Sequence, residues 1–151
     1  MVKKPQVRVA VVSFRCTDSL VALLTQLRSQ SDDWQIYVWD NHSEASEFIQ
    51  ELLISNDLAD WTYFCPENRG FAHAINQIAA LPGLWDVFLT VNPDLQIVGS
   101  LDPVITACEQ RSVAAASGCA STSGRLDCTN AYQDVGPFGL AIRSLKGRAH
   151  E

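Results

Sequence analysis

Four short apolar runs, at residues 6–14, 34–39, 61–65 and 87–91, alternate with three segments whose apolar residues recur at helical spacing. This β-α-β-α-β-α-β order, joined by connections of a few residues, predicts a parallel sheet with right-handed crossovers and helices on both faces. The first run is valine-rich and reads as a buried parallel strand. Leu20, Leu23, Leu24 and Leu27 mark the helix after it, with Thr17 or Asp18 placed to cap its start. In the second helix Ser43 is the expected cap, Glu44 and Glu47 suit the dipole of the first turn, and Phe48, Ile49, Leu52 and Leu53 form the apolar face. The third helix runs to Leu81, where Pro82-Gly83 stops it; Phe71, Ile75 and Ile78 are its expected core residues and His73 lies off that face. Beyond the fourth strand, residues 101–110 are amphipathic and 112–117 read as a short strand. Residues 121–124 are small and polar, and 126–143 carry no clear period.

A chain of 151 residues fits one domain, and at that length roughly 70% of the unfolded surface can be buried. Apolar residues make up 47% and charged residues 19%, which places it with ordinary globular proteins. The five cysteines are odd in number and show no metal-ligand spacing, so free thiols in a reducing cytoplasm are expected. A net charge of −6, with scattered basic residues, argues against nucleic acid as a partner. The N-terminal lysines lead directly into a strand pattern, without the apolar core of a signal peptide. No run approaches the ~18 apolar residues of a membrane span. A cytoplasmic protein is expected, and attachment to the inner face of a membrane is compatible with the sequence.

A polar cluster follows the second, third and fourth apolar runs. In an open parallel sheet ligands gather beyond the carboxyl ends of the strands, so the three clusters are expected to line one crevice. Asp40, at the end of the second run, can offer a carboxylate to a base or ribose; a turn before Ser43 explains it equally well. Asn41 reads as a turn residue. Arg69 and Gly70 stand at the mouth of the third helix, where exposed N–H groups and the helix dipole favour an anion. Asn76 shares a helix face with Ala72 and can reach the same ligand, although a plain helix start is the alternative for this cluster. Asn92-Pro93-Asp94 closes the fourth run, and Pro93 stiffens the turn that presents Asp94. One carboxylate together with diphosphate oxygens suits Mg²⁺ or Mn²⁺, which keep water ligands and take few from protein.

No glycine occurs in Ser13-Phe14-Arg15-Cys16-Thr17-Asp18, directly after the first strand. A dinucleotide-binding dehydrogenase and a sugar-phosphate nucleotidyltransferase both call for a Gly-rich loop there, so both are disfavoured.

The succession Val11-Val12-Ser13-Phe14, Val38-Trp39-Asp40-Asn41, Asn68-Arg69-Gly70-Phe71-Ala72 with Asn76, and Val91-Asn92-Pro93-Asp94 resembles the donor half of family 2 glycosyltransferases, most closely the rhamnosyltransferase-like branch. The resemblance covers about residues 6–110. It implies a Rossmann-like GT-A three-layer sandwich with a mostly parallel central sheet, and transfer of a sugar from a nucleotide-diphospho-sugar donor to a glycan or lipid-linked acceptor. By the same resemblance Ser13 and Phe14 border the nucleotide, Asp40 contacts the base, and Arg69, Gly70 and Asn76 lie along the nucleoside and phosphates. Asn92 and Asp94 stand in for the family's Asp-x-Asp, with Asp94 on the metal. His42 departs from the small residue usual in the family. An inverting transfer also needs a general base, and Asp102, Glu109, Asp127, Asp134 and Glu151 include no acidic pair beside an apolar strand. The expected domain therefore lacks the acceptor half, and a nucleotide-sugar-binding module without catalysis is the alternative expectation.

Overall fold

The computed structural model describes residues 4–43, 46–55, 57–109, 120–122, 125–127, 131–136 and 139–144. The elements up to Gly99 are β1 (Val7–Ser13), α1 (Thr17–Gln30), β2 (Gln35–Asp40), α2 (Ser46–Ser55), β3 (Trp61–Phe64), α3 (Phe71–Ala80) and β4 (Val87–Val91). The four strands form one parallel sheet in the order β3-β2-β1-β4, as the alternation predicts. The order reverses between β1 and β4, which makes the gap between their carboxyl ends the topological switch point.

Strand β1 is buried along its whole length, the condition that favours a continuous apolar run over an alternating one. Ala10 and Val12 pack with Trp39, Cys65, Ala74 and Ile78 beneath α3. By alternation Val7, Val9 and Val11 face the opposite side of the sheet. Helix α1 buries the four predicted leucines, Leu20, Leu23, Leu24 and Leu27.

The helix starts differ from expectation. Cys16 holds the N-cap position of α1 without a side-chain cap, and Thr17 is already helical. The described part of α2 begins at Ser46, and the Ser43 hydroxyl donates to Asp40. Glu44 lies outside the described residues. On α3, Ile78 and Ala74 are buried while Phe71 is 49% exposed; Phe71 is the first residue of the helix and stands at its open end rather than over the sheet.

One buried residue breaks the valine pattern of β1. Arg8 is 0% exposed, and it points to the side occupied by α3. Its Nη1 donates to the carbonyls of Ile78 (3.3 Å) and Leu81 (2.8 Å), and its Nη2 to that of Pro82 (3.0 Å). These carbonyls lie at and just past the C-terminal end of α3, where the helix dipole also favours a cation, and Ile78 O accepts the Leu81 N–H as well, at 3.2 Å. The Tyr37 ring lies 4.7 Å beneath the guanidinium. A buried arginine thus ends the helix that Pro82-Gly83 marks in the sequence.

Contacts divide the chain into two compact units, Met1–Gly99 and Ser100–Glu151. The second contains α4 (Asp102–Cys108), which carries Pro103 in its first turn and buries Ile105. It also contains two antiparallel hairpins, β5 (Ala120–Thr122) with β6 (Arg125–Asp127), and β7 (Ala131–Gly136) with β8 (Gly139–Ser144). The small polar stretch expected as loop therefore contributes strand residues, and the stretch without a clear period holds three strands. The strand expected at 112–117 lies outside the described residues.

Candidate functional site

Register brings the polar clusters to one edge of the sheet. Ser13 is paired with Asp40 and Asp40 with Phe64, so β1, β2 and β3 end level. The ladder continues one step further, with Asn41 N–H donating to Ser13 O at 2.7 Å and Cys65 N–H to Asp40 O at 2.8 Å. Val91 is paired with Val11, so Asn92 leaves β4 beside the last residues of β1. Ser13, Phe14, Asp40, Asn92 and Asp94 thus share the carboxyl edge, together with the loop that carries Arg69 and Gly70.

The first two loops are tied together through Asp40. Its side chain is 0% exposed. One carboxylate oxygen accepts the Ser43 hydroxyl in a short hydrogen bond, and the other accepts the Ser43 N–H at 2.9 Å. The Ser43 hydroxyl oxygen in turn accepts the Arg15 N–H at 2.9 Å. Asp40 therefore organises the turn after β2 and, through Ser43, holds the turn after β1. Arg15 sits there at φ 54°, a left-handed conformation that an arginine tolerates less readily than glycine and that this hydrogen bond helps to hold. Ser13 is buried with its Oγ 3.4 Å from Cys16 Sγ, while Phe14 is 42% exposed under the Arg15 guanidinium.

The third loop is held by two asparagines. Asn41 is only 3% exposed. Its Oδ1 accepts the Arg69 N–H at 3.0 Å, and its Nδ2 donates to Asn68 Oδ1 at 2.7 Å. The same Asn68 oxygen accepts the Gly70 N–H at 2.9 Å. Gly70 then starts α3 at φ 84°, ψ 163°, backbone geometry that only glycine adopts readily. The Gly70 N–H is thus already used within the loop, and Asn41, expected as a turn residue, is the link that shapes it. Its sequence signal is its place one residue past a strand end, opposite a second asparagine in the next loop.

Arg69 extends outward, with Nε and Nη2 both on Glu67 Oε1 at 2.8 and 2.6 Å. The hydrogen bond and the charge of Glu67 hold its guanidinium pKa above an already high ordinary value. Asn76 is exposed on α3. His73, expected to be solvated, is half-buried with its ring edge against Trp39 at 5.7 Å.

Asn92, Pro93 and Asp94 form a turn closed by Leu95 N–H on Asn92 O at 3.2 Å, with Asp94 exposed. Among the described residues no three His, Cys, Asp or Glu side chains come together. One exposed carboxylate is a poor cation site by itself, but its hard oxygen suits Mg²⁺ or Mn²⁺ when a diphosphate supplies further ligands.

Among the solved structures with a similar fold is the mannosyltransferase PcManGT from Pyrobaculum calidifontis, in complex with GDP-Man and Mn²⁺, at TM-score 0.64 and 20% identity. The chain shares that mannosyltransferase's fold. The likeness covers 74% of this chain and 34% of the mannosyltransferase, so the chain spans about a third of that enzyme's length. Staphylococcus aureus TarS also aligns, at TM-score 0.45 and 18% identity, over 59% of this chain and 16% of TarS; that likeness is too distant to add to the argument. No protein-family model matches the sequence, and no curated protein does.

Cys16, Cys65 and Cys108 are free thiols, as expected; Cys119 and Cys128 lie outside the described residues. Among the described residues no helix is long and apolar enough to cross a membrane.

Proposed function

We propose that this chain is the donor-binding part of a family 2 type glycosyltransferase, of the rhamnosyltransferase-like branch, taking a sugar from a nucleotide-diphospho-sugar in a metal-assisted, inverting transfer. The observation that carries the reading is the adjacency of β1 and β4 in an all-parallel sheet. It sets the Ser13-Phe14 turn beside Asn92-Pro93-Asp94 at the switch point. The shared fold with a mannosyltransferase that binds GDP-Man and Mn²⁺ supports it.

In this reading the exposed ring of Phe14 packs against the nucleoside and Ser13 borders it. Asp40 reaches the base only by releasing Ser43; as placed, it positions the turn that carries Phe14 and Arg15. The Arg69 guanidinium, held charged at any working pH, lies along the nucleoside and phosphates. Gly70 contributes through its lack of a side chain rather than through its N–H, and Asn76 offers its amide from the next turn of α3. Asn92 and Asp94 face the diphosphate, with Asp94 as the protein's carboxylate ligand to Mg²⁺ or Mn²⁺. The bound ion would offset the charge that develops on the departing diphosphate. The acceptor, a glycan or lipid-linked sugar, is met by parts of the enzyme beyond this sheet, at the inner face of the membrane.

Calorimetric titration with UDP, GDP and dTDP and their sugar conjugates, each with and without Mn²⁺, tests the reading. Saturable binding of one nucleotide, strengthened by the metal, is the expected result. Failure of a demonstrably folded chain to bind any of them at millimolar ligand overturns it. A binding module without catalysis is the second reading, motivated by the sequence after Asp94, whose carboxylates include no acidic pair beside an apolar strand; transfer or donor hydrolysis by the chain excludes it.

A further inference from the structure

A second concave feature lies away from the switch point, on the α3 side of the sheet and along its outer strand. It is an open groove of about 390 Å³ whose lining includes Trp39, Trp61, Tyr63, Arg69, His73 and Gln77. Strand order puts β3 two strands from β1 and three from β4, and neighbouring strands are about 4.8 Å apart. The groove is therefore displaced sideways from the crevice formed by β1 and β4.

Its walls are unusually aromatic. Trp61 and Tyr63 alternate on β3 and present ring planes within 10° of parallel, with centroids 6.1 Å apart. Trp39 backs them, 4.4 Å from the Tyr63 ring, and His73 closes on Trp39 from α3. Yet the cluster is not sealed as a core would be. Tyr63 is 41% exposed, Trp61 and His73 are half-buried, and Gln77 is exposed on the helix above. Large aromatic side chains left open at the surface, beside polar groups able to orient a ligand, are the make-up of a binding site.

The chemistry of the lining narrows the ligand. Arg69, which the donor reading sets along the phosphates, stands where the groove meets that crevice and is held by Glu67 through two contacts; the residues beyond it, Trp61, Tyr63 and Gln77, carry no charge to call for an anion. Ring faces favour a ligand with an apolar C–H surface. The amide of Gln77, the imidazole of His73 and the Tyr63 hydroxyl favour one whose edge carries hydroxyl groups. A neutral pyranose combines an axial C–H face with an equatorial rim of hydroxyls.

We propose that the groove of Trp61, Tyr63 and Gln77 binds neutral pyranose rings of a glycan, as a holding site separate from the nucleotide crevice. The proposal does not depend on the donor reading. It makes the β3–α3 side a sugar-binding surface whether or not transfer occurs at β4.

The test uses the whole chain with a panel of neutral sugars: glucose, mannose, galactose, rhamnose and N-acetylglucosamine, and oligosaccharides built from them. Tryptophan fluorescence reads binding, and saturation-transfer NMR reads which sugar protons touch the protein. The expected result is a saturable fluorescence change, with saturation transferred mainly to the C–H protons of one ring face. Affinity should fall about tenfold in Tyr63→Ala, where a stacking ring is lost, and measurably in Gln77→Ala, an exposed change that leaves the fold intact by circular dichroism. Nucleotides should not compete, and Asp94→Ala should bind the same sugar equally well. Three results overturn the proposal: no saturable signal from any sugar at millimolar concentration with the chain folded; displacement of the sugar by nucleotide; or a doubling of mass in light scattering that Tyr63→Ala abolishes, which would make the groove a contact between copies of the chain.

Discussion

The side-chain carbonyl of Asn41 accepts the main-chain N–H of Arg69 at 3.0 Å, joining the ends of β2 and β3 across 28 positions of sequence. Because Asn41 also donates to Asn68, which in turn accepts the Gly70 N–H, one nearly buried amide sets the loop that starts α3. Asn41→Ala removes both bonds and leaves buried groups unpaired, a loss of about 1–3 kcal/mol in denaturant unfolding. Asn41→Asp should be no milder, since a carboxylate keeps the acceptor for Arg69 but turns a second acceptor toward Asn68. In nucleotide titrations both variants should bind more weakly than the parent protein even where they remain folded.

Gly70→Ala tests the backbone rather than any contact. A Cβ there would meet nothing within 4 Å, but φ 84° with ψ 163° is strained for any other residue. The expected cost is about 1–3 kcal/mol. Chemical shifts should move at Arg69 and along the first turn of α3 and stay fixed in β1.

Arg8 and Gly83 form a coupled pair. A Cβ on Gly83 would lie 2.7 Å from Arg8 Nη2, and the residue also holds φ +116°. Gly83→Ala therefore carries both a clash and backbone strain, whereas in an Arg8→Met background only the strain remains. Arg8→Met by itself takes the arginine donor from the Ile78, Leu81 and Pro82 carbonyls, of which Ile78 O keeps the Leu81 N–H, and should cost about 1–3 kcal/mol. In a double-mutant cycle by urea unfolding, the combined loss should be smaller than the sum of the single losses.

Asp94→Ala should keep the parent's thermal midpoint, because the side chain is exposed and sits in a turn closed by main-chain atoms. Its nucleotide affinity should be the same with and without Mn²⁺, while the parent's improves with the metal. Mn²⁺ titrated without nucleotide should bind weakly to both proteins, since one carboxylate supplies too few ligands.

The sheet was legible because its strands are short apolar runs, with β1 buried along its whole length, and its helices carry an apolar stripe; both patterns survive in a single sequence. That the polar clusters would share one edge also followed, since parallel strands all end on the same side. What each cluster does was less visible. Asp40 read equally as a ligand or as a turn residue before Ser43, and Asn41 as a turn residue; the structure bonds Asp40 to Ser43 and also gives both residues to the scaffolding of neighbouring loops, and hydrogen bonds between residues 28 positions apart leave no periodic trace. Arg8 was hidden inside a valine run, although an arginine in a buried strand, with a helix stop still lacking donors for its carbonyls, is a signal worth pairing. The hairpin β5–β6 had its cue in the two residues Ser123-Gly124 between its strands, a cue that a polar composition masked.

Helix α3 is fastened at both ends: Asn68 and Asn41 hold the residues leading into it, and Arg8 grips the carbonyls where it stops. A rod of ten residues, about 15 Å long, then has no loose turn in which to absorb a displacement. With both ends held, α3 stands as a strut linking the carboxyl edge of the sheet to its opposite edge.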